Sequence, residues 1–386
     1  MRIGMVTQSY YPRVGGVTEH VHYLSAALRN LGHRVTIVTS GPGPECENGI
    51  IRVGRNAVFP MNGALVNVTL GIGLQRRLRD IFLREHFDLV HIHCPLEPSL
   101  PLMALMASSR IDVPVVGTFH TCARISPAYE VFSRRLNKYA GRLDARIAVS
   151  EAARRFGARY FPGDYSVVPN GVCVDRFQGL PAPSSLETGR TTVLFVGRFD
   201  YRKNVPWLIS AFKRLVKTCP RARLVLVGSG LTKPLCRLMA LPLGDTVHFE
   251  GHVPPSDLPA CFAASDLFCS VPVGSESFGV VLLESMASGR PIVGTDIAGY
   301  REVVEHGVEG LLVPRGDTVA LTEALRLLIE NPELRREMGL RGREKARRFD
   351  WGGIARSVAS IYDDVSARSH AQTNDEETSR ECIRSL

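Results

Sequence analysis

The stretch Gly274-Ser-Glu-Ser-Phe-Gly-Val-Val-Leu-Leu-Glu284 opens as a Gly/Ser loop and then turns apolar at helical spacing, through Val280, Val281, Leu283, Met286 and Ala287. Short apolar runs flank it, Leu267–Ser270 before and Ile292–Gly294 after. Strand, loop, helix and strand in that order make a crossover unit, the building block of a parallel sheet. A helix beginning near Phe278 points its free backbone N–H groups and positive dipole end back at the loop, where an anion can sit. Glu276 then lies beside that anion, and Glu284 sits roughly 9 Å along the helix at about 1.5 Å per residue. Two carboxylates so spaced can accept hydroxyls from different parts of one extended anionic ligand, and a nucleotide-sugar fits. Two solvated glutamates at an ordinary helix start are the plain alternative.

The alternation extends in both directions. Strand candidates in the first half are Ile3–Val6, Val35–Val38, Leu89–Ile92, Val115–Thr118, Ile147–Val149 and Val167–Val168. Between the first two, Val17–Asn30 carries the apolar stripe Val17, Val21, Leu24, Leu28 and Leu31, and stops at Gly32. The second half repeats the pattern with Val193–Val196, Leu224–Val227, Val247–Phe249, Leu267–Ser270, Ile292–Gly294 and Leu311–Val313. Strands alternating with helices predict an α/β fold of two doubly wound, Rossmann-like domains facing across a cleft, over 1–175 and 190–350. The Pro/Ser/Gly-rich stretch Gly179–Gly189 joins them. Pro332 opens a helix to about Arg348, and a last helix over 351–366 is expected to return to the N-terminal domain. Residues 367–386 are polar and apolar-poor, so disorder is expected there.

Length agrees, because 386 residues exceed one ordinary core. No apolar run approaches the roughly 18 residues of a spanning helix. Met1-Arg-Ile-Gly-Met-Val-Thr7 reads as a buried strand rather than a signal peptide. Nine cysteines without a C-x-x-C pair, several in apolar settings (Cys219, Cys261, Cys269), suggest reduced core thiols in a cytoplasm. The formal charge of +9 implies an anionic partner. One basic group holds Arg134, Arg135, Lys138, Arg142, Arg146, Arg154, Arg155 and Arg159. With no nucleic-acid-binding signature beside it, the inner face of an anionic membrane is the better partner. A second group, from Arg335 to Arg348, is interleaved with Glu333, Glu337 and Glu344 and reads as a solvated helix face.

Other motifs fall at strand ends. Gly15-Gly16 follows the first strand and precedes a helix, where backbone can approach a phosphate closely; a tight turn without ligand is the alternative. The pair is no G-x-G-x-x-G fingerprint. His120 closes the apolar run Gly117-Thr-Phe-His-Thr121, where ligands of open α/β sheets collect, and a neutral imidazole there can bond a sugar hydroxyl or organise a leaving group. Arg198 and Lys203, beyond the strand ending at Val196, can clamp a diphosphate and neutralise charge on a leaving group. A solvated basic loop is their plain reading. Val227-Gly-Ser-Gly-Leu231 is explained by turn chemistry. His91, His93 and Glu97 stand close enough in sequence to suggest a metal set, but Cys94-Pro95 breaks their pattern, so no metal site is expected. No Gly-x-Ser-x-Gly elbow or P-loop is present.

Together these elements resemble the retaining glycosyltransferases of family four, which have the GT-B fold. The matching residues are Gly15-Gly16, Thr118-Phe-His-Thr121, Pro169-Asn-Gly-Val172, Val196-Gly-Arg-Phe199 with Lys203, and Glu276-Ser-Phe-Gly-x4-Glu284, in the family's order. Within it the chain is similar to the phosphatidylinositol mannosyltransferases, through Met1–Met5, Gly16-Val-x-x-His20-Val21, Asn62-Gly63, Gly117–Thr121 and Arg146–Arg155. That subgroup uses GDP-mannose and the inositol of a membrane lipid. It tends to carry arginine after its Asn-Gly, where this chain has Asn67 and Thr69, which leaves the acceptor open.

The resemblance implies roles. Arg198 and Lys203 would hold the diphosphate, with the Gly15-Gly16 amides. Glu276, Ser277 and the Phe278 and Gly279 amides would orient the sugar, Glu284 would take the ribose, and Val253 would lie near the base. His120 would contact the sugar near the reacting carbon, making it, Arg198, Lys203 and Glu276 the catalytic set. Retention by front-face departure and attack is implied, with no required cofactor and Mg2+ in a stimulatory role at most. Tyr129, Phe132, Leu136 and Tyr139 recur at helical spacing beside Arg134, Arg135 and Lys138, so this helix, with Asn62, is the expected membrane and acceptor surface of a cytoplasmic, peripheral enzyme. An ordinary helix packed on the sheet is the alternative. Two rival functions on the same fold are a nucleotide-sugar 2-epimerase and a non-catalytic nucleotide-sugar-binding protein.

Overall fold

The computed structural model describes residues 1–43, 46–61, 64–123, 125–179 and 189–384. The chain divides into two compact units, one built from Met1–Pro60, Leu65–Pro169 and Trp351 onward, the other from Asn170–Asp350 together with Met61–Ala64.

In unit 1 the strands are β1 Arg2–Val6, β2 Arg34–Thr39, β3 Cys46–Glu47, β4 Ile50–Arg52, β5 Arg55–Met61, β6 Ala64–Leu70, β7 Leu89–His93, β8 Val115–Phe119, β9 Ala145–Ala148 and β10 Ser166–Val167. Eight form one sheet in the order β10-β9-β8-β7-β1-β2-β4-β3, parallel except for the edge pair β3/β4; β5 and β6 form a separate ribbon. Helices cover such a sheet on both faces, so its inner strands β7 and β8 are buried along their whole length, polar residues included. Ile3, Met5 and Val6 of β1 are fully buried, and Val90 and Ile92 of β7 likewise. Sequence order runs outward from β1 through β2 on one side and from β7 through β8 on the other. The carboxyl ends of β1 and β7 therefore flank a switch point, where α/β sheets bind ligands.

The first helix, Gly16–Asn30, buries His20, Val21, Leu24 and Leu28 and is followed by Gly32 at φ 90°. The last helix starts at Trp351, belongs to unit 1 and packs along Gly16–Asn30, burying Tyr362 completely. It continues to Arg384, in place of the disorder expected over 367–386. Beyond Gly353 it meets no Gly or Pro, so nothing in the backbone stops it despite the polar composition.

In unit 2 the strands are β11 Thr191–Val196, β12 Ala222–Val227, β13 Val247–Gly251, β14 Leu267–Ser270, β15 Ile292–Thr295 and β16 Gly310–Val313, in the order β13-β12-β11-β14-β15-β16, all parallel. Alternate residues feed opposite cores. Val193, Phe195, Leu224, Leu226, Leu267 and Cys269 enter one, and Leu194, Val225, Val227 and Phe268 the other. Each such side chain contributes roughly 2 kcal/mol of burial before entropy is charged. The boundary lies earlier than the expected 175, because Val172, Val174 and Phe177 bury with Phe262 and Phe278 in the second core. The expected linker falls largely on 180–188, outside the described residues.

Candidate functional site

The switch point of unit 2 lies between β11 and β14. The loop after β11 carries Arg198 and Lys203, and the loop after β14 carries Glu276. Topology thus brings together side chains far apart in sequence, and Lys203 Nζ lies 3.0 Å from Glu276 Oε1, both side chains largely buried. A carboxylate held against an ammonium beside a helix start leaves the ammonium's other protons for an anionic oxygen.

The first loop is held from beneath. Asp200, 6% exposed, accepts from the Lys203 backbone N–H at 3.0 Å and from the Arg202 guanidinium at 3.3 Å, and forms an ion pair with Arg198 at 3.3 Å. Arg198 itself is half exposed, so it is free to swing to a ligand. Gly228 and Gly230 have a purpose beyond the turn chemistry expected of them. A Cβ on Gly228 would stand 2.0 Å from the Gly197 carbonyl oxygen, and one on Gly230 2.6 Å from that of Phe199. The glycines let the β12 loop lie directly against the loop bearing Arg198.

The second loop turns at Gly274 (φ 133°) and Ser275 (φ 59°). Its helix is Val280–Ala287 with Gly279 as N-cap in the left-handed region, two residues later than expected. Phe278 is buried against Phe349 and anchors the turn, while Ser277 and Glu284 are partly buried. Gly299 packs beneath, so close that a Cβ there would lie 2.2 Å from the Glu276 carbonyl oxygen. Asp200 and Gly299 escape sequence reading, because an acid beside basic residues and a lone glycine carry no motif. Val253 packs at the edge of the second core.

In unit 1, Gly15 is the N-cap of Gly16–Asn30, and a methyl group added at either Gly15 or Gly16 would meet no atom within 4 Å, so the backbone there is open to a ligand. His120 follows β8 directly. Its Nε2 lies 2.9 Å from His93 Nδ1, and His20 and His93 surround it with ring centroids at 4.7 and 5.2 Å. His91 is engaged elsewhere, with Nδ1 2.6 Å from the Tyr362 hydroxyl and Nε2 2.6 Å from the Thr118 hydroxyl. Burial and the neighbouring imidazoles push His93 and His120 well below the usual histidine range, and burial takes His91 down to about 3. All three are neutral near pH 7.

The histidines close in sequence therefore stay side by side but take different partners. His91 is spent on hydrogen bonds, while among the described residues His20, His93 and His120 each bring a nitrogen within 4.8 Å of the others. His20 left a signal: it interrupts the apolar stripe between Val17 and Leu24 yet is 4% exposed.

Thr69, where the mannosyltransferase subgroup tends to carry arginine, is buried. Its hydroxyl bonds Gln8 and Ser40, and its N–H donates to the Ser99 hydroxyl at 2.6 Å. Asn62 lies outside the described residues. The helix Pro127–Ala140 corrects the predicted stripe, because Tyr129, Leu136 and Tyr139 pack on the unit 1 core. Its solvent face is instead Val131 and Phe132, 72% and 50% exposed, with exposed Arg134, Arg135 and Lys138. Arg146 and Arg154 are committed within the protein, to the Ala140 and Pro162 carbonyls and to Glu151. In the second basic group Arg341 pairs with Glu337 on the same helix, and Lys345 reaches outside the group to Glu309. Among the described residues no helix is long and apolar enough to cross a membrane.

Residues 14–176 match the family Glycosyltransferase Family 4, and 179–345 match Glycosyl transferases group 1. The phosphatidyl-myo-inositol mannosyltransferase of Mycobacterium leprae is 33% identical over 368 residues, covering 95% of this chain and 97% of that protein. Its namesake from Mycolicibacterium smegmatis is also 33% identical, over 95% and 94%. Among solved structures, Anabaena HepE in complex with UDP and glucose matches with a TM-score of 0.76 at 22% identity, covering 94% of this chain and 100% of that one, a likeness of fold. The chain belongs to the family-four glycosyltransferases and is a glycosyltransferase with the two Rossmann-like domains of the GT-B fold.

Proposed function

We propose that the chain is a retaining mannosyltransferase that moves mannose from GDP-mannose to phosphatidylinositol or a closely related anionic membrane lipid. The observation that carries the chemistry is the Lys203–Glu276 contact at 3.0 Å, a diphosphate cation and a sugar-directed carboxylate held together at a helix start. The names of the two near-full-length phosphatidyl-myo-inositol mannosyltransferase relatives support mannose and the lipid acceptor, and GDP as the carrier rests on the subgroup resemblance alone.

In this reading Arg198 and Lys203 bind the diphosphate, with the Gly15 and Gly16 backbone contributing N–H groups. Glu276, Ser277 and the Phe278 and Gly279 amides orient the mannose; Glu284 accepts from the ribose and Val253 lies towards the base. His120, neutral, bonds a sugar hydroxyl near the anomeric carbon. The bond from that carbon to the phosphate oxygen breaks with its electron pair passing to the phosphate, whose charge the two cations stabilise. The acceptor hydroxyl attacks on the same face, and its proton goes to the departing phosphate. No step needs a metal, so activity should persist in EDTA. Val131, Phe132, Arg134, Arg135 and Lys138 form the face that meets anionic lipid on the cytoplasmic side.

Incubation with labelled GDP-mannose, UDP-glucose or UDP-N-acetylglucosamine and phosphatidylinositol vesicles tests the proposal. Label in the lipid phase from GDP-mannose alone is expected. A free epimerised nucleotide-sugar, or nucleotide binding without turnover, would overturn it. Co-sedimentation that ignores anionic lipid would refute the membrane face.

A further inference from the structure

We propose that His20, His93 and His120 form a binding site for a divalent transition-metal ion of the Zn2+ or Co2+ class, at the carboxyl end of the unit 1 sheet. The three imidazoles come from three separate elements: the helix Gly16–Asn30, the last residue of β7, and the residue after β8. One nitrogen of each lies within 4.8 Å of the other two. Zinc–imidazole bonds of about 2.0–2.1 Å in tetrahedral geometry set ligand nitrogens roughly 3.4 Å apart. The present spacing reaches that by small ring rotations, in which the 2.9 Å contact of His93 Nδ1 with His120 Nε2 opens slightly.

The cluster is closed off from water: His93 is 1% exposed, its Nδ1 faces His120, and its Nε2, on the other side of the ring, has no hydrogen-bond partner among the described residues. The surroundings are rigid enough to hold an ion. His91 lies against His93 with ring centroids 4.4 Å apart, locked by Tyr362 and Thr118, and Trp351 lies 5.3 Å from His20. Three nitrogen ligands select zinc, cobalt, nickel or copper over Mg2+, which takes oxygen. The site is therefore unrelated to any magnesium effect. Binding stands on this geometry alone. Its consequence rests on the role proposed for His120: an ion there would draw that imidazole away from the sugar and inhibit transfer.

The full-length protein, stripped with EDTA, is titrated with Co2+ and then Zn2+ without any donor present, so the result is independent of the transferase reading. We expect one equivalent of Co2+ with visible d–d bands and no thiolate charge-transfer band, displaced by Zn2+. His20→Gln and His93→Gln, assayed separately and accepted only if their melting stays cooperative, should each bind about 10-fold more weakly or worse. No stoichiometric binding, a thiolate band that places the ion on cysteine, or unchanged affinity in both variants would overturn the site.

Discussion

Gly299→Ala tests whether the position of Glu276 governs turnover. The added methyl would stand 2.2 Å from the Glu276 carbonyl oxygen and 2.8 Å from the Ser277 carbonyl, whereas real Cβ contacts stay beyond 3.0 Å. Something must recede by about 0.8 Å, and the obstacle is backbone rather than the end of a flexible side chain. Gly299 cannot retreat easily, because Tyr300 beside it is completely buried and bonds the Ser270 hydroxyl at 2.7 Å. The Glu276 side is softer, hinged at Gly274 and Ser275, so it moves and carries the carboxylate off Lys203. A misplacement of about 1 Å can cost roughly 100-fold in rate, and overpacking costs about 1–3 kcal/mol. Initial-rate kinetics with the turning-over donor should show kcat down about 100-fold, with nucleotide affinity changed less than about 3-fold because Lys203 stays. The melting temperature should fall by a few degrees. A variant that keeps kcat within about 3-fold would show that the loop position is not what limits transfer.

Four further outcomes are expected. Glu276→Ala should reduce turnover far more than nucleotide affinity, and Glu284→Ala the reverse; equal effects in kinetics and calorimetry would break the assignment of sugar and ribose. Lys203→Ala removes a leaving-group cation and leaves the largely buried Glu276 without it, so kcat should fall about 10²–10³-fold, and a loss under tenfold would deny it that role. His91 holds its pKa at about 3 against 6.5 in the unfolded chain. The unfolded state therefore binds the extra proton between those values, and stability falls as pH drops below about 6.5, by about 1.4 kcal/mol per unit. Urea titrations from pH 7 to 5 should show His91→Gln with a shallower loss, and an unchanged slope would contradict this. Gly353→Ala, in a helix with only the Arg356 guanidinium near at 4.0 Å, should stabilise by roughly 0.5–1 kcal/mol in the same titration.

Much of this is legible in the sequence because period and punctuation are local. The β-branched runs name the inner strands of both sheets, and Gly32 ends the first helix where the pattern does. Gly274–Glu284 declares a loop feeding a helix. What the sequence hides is non-local. The Lys203–Glu276 contact needs β11 and β14 as neighbours, which no local pattern states. The imidazole cluster needs β7 beside β8 with the first helix above them, so the sequence can mark His20, His93 and His120 one at a time but not their meeting. Composition misleads at the ends and faces of elements. Apolar spacing in Pro127–Ala140 points to a membrane although three of the four residues face the core, since spacing gives a face and not its partner. Polarity after residue 366 suggests disorder where an uninterrupted helix continues.

The placement of the candidate residues follows from one topological fact met twice. Where strand order reverses, the crossover connections leave in opposite directions and a crevice opens at the carboxyl ends of the two strands. In unit 2 those strands are β11 and β14, and the loops leaving them carry Arg198 and Lys203 on one side and Glu276 on the other. In unit 1 they are β1 and β7; Gly15 and Gly16 follow the first, and His93 ends the second with His120 one strand further out. Residues of unlike chemistry can be opposed there without distorting either sheet, because each rides a separate loop. The glycines that pack beneath, Gly228, Gly230 and Gly299, then act on the loops rather than on the ligand. Substitutions at these three positions should accordingly shift the reacting groups while leaving the strands in register, and the catalytic loss should exceed the loss of stability.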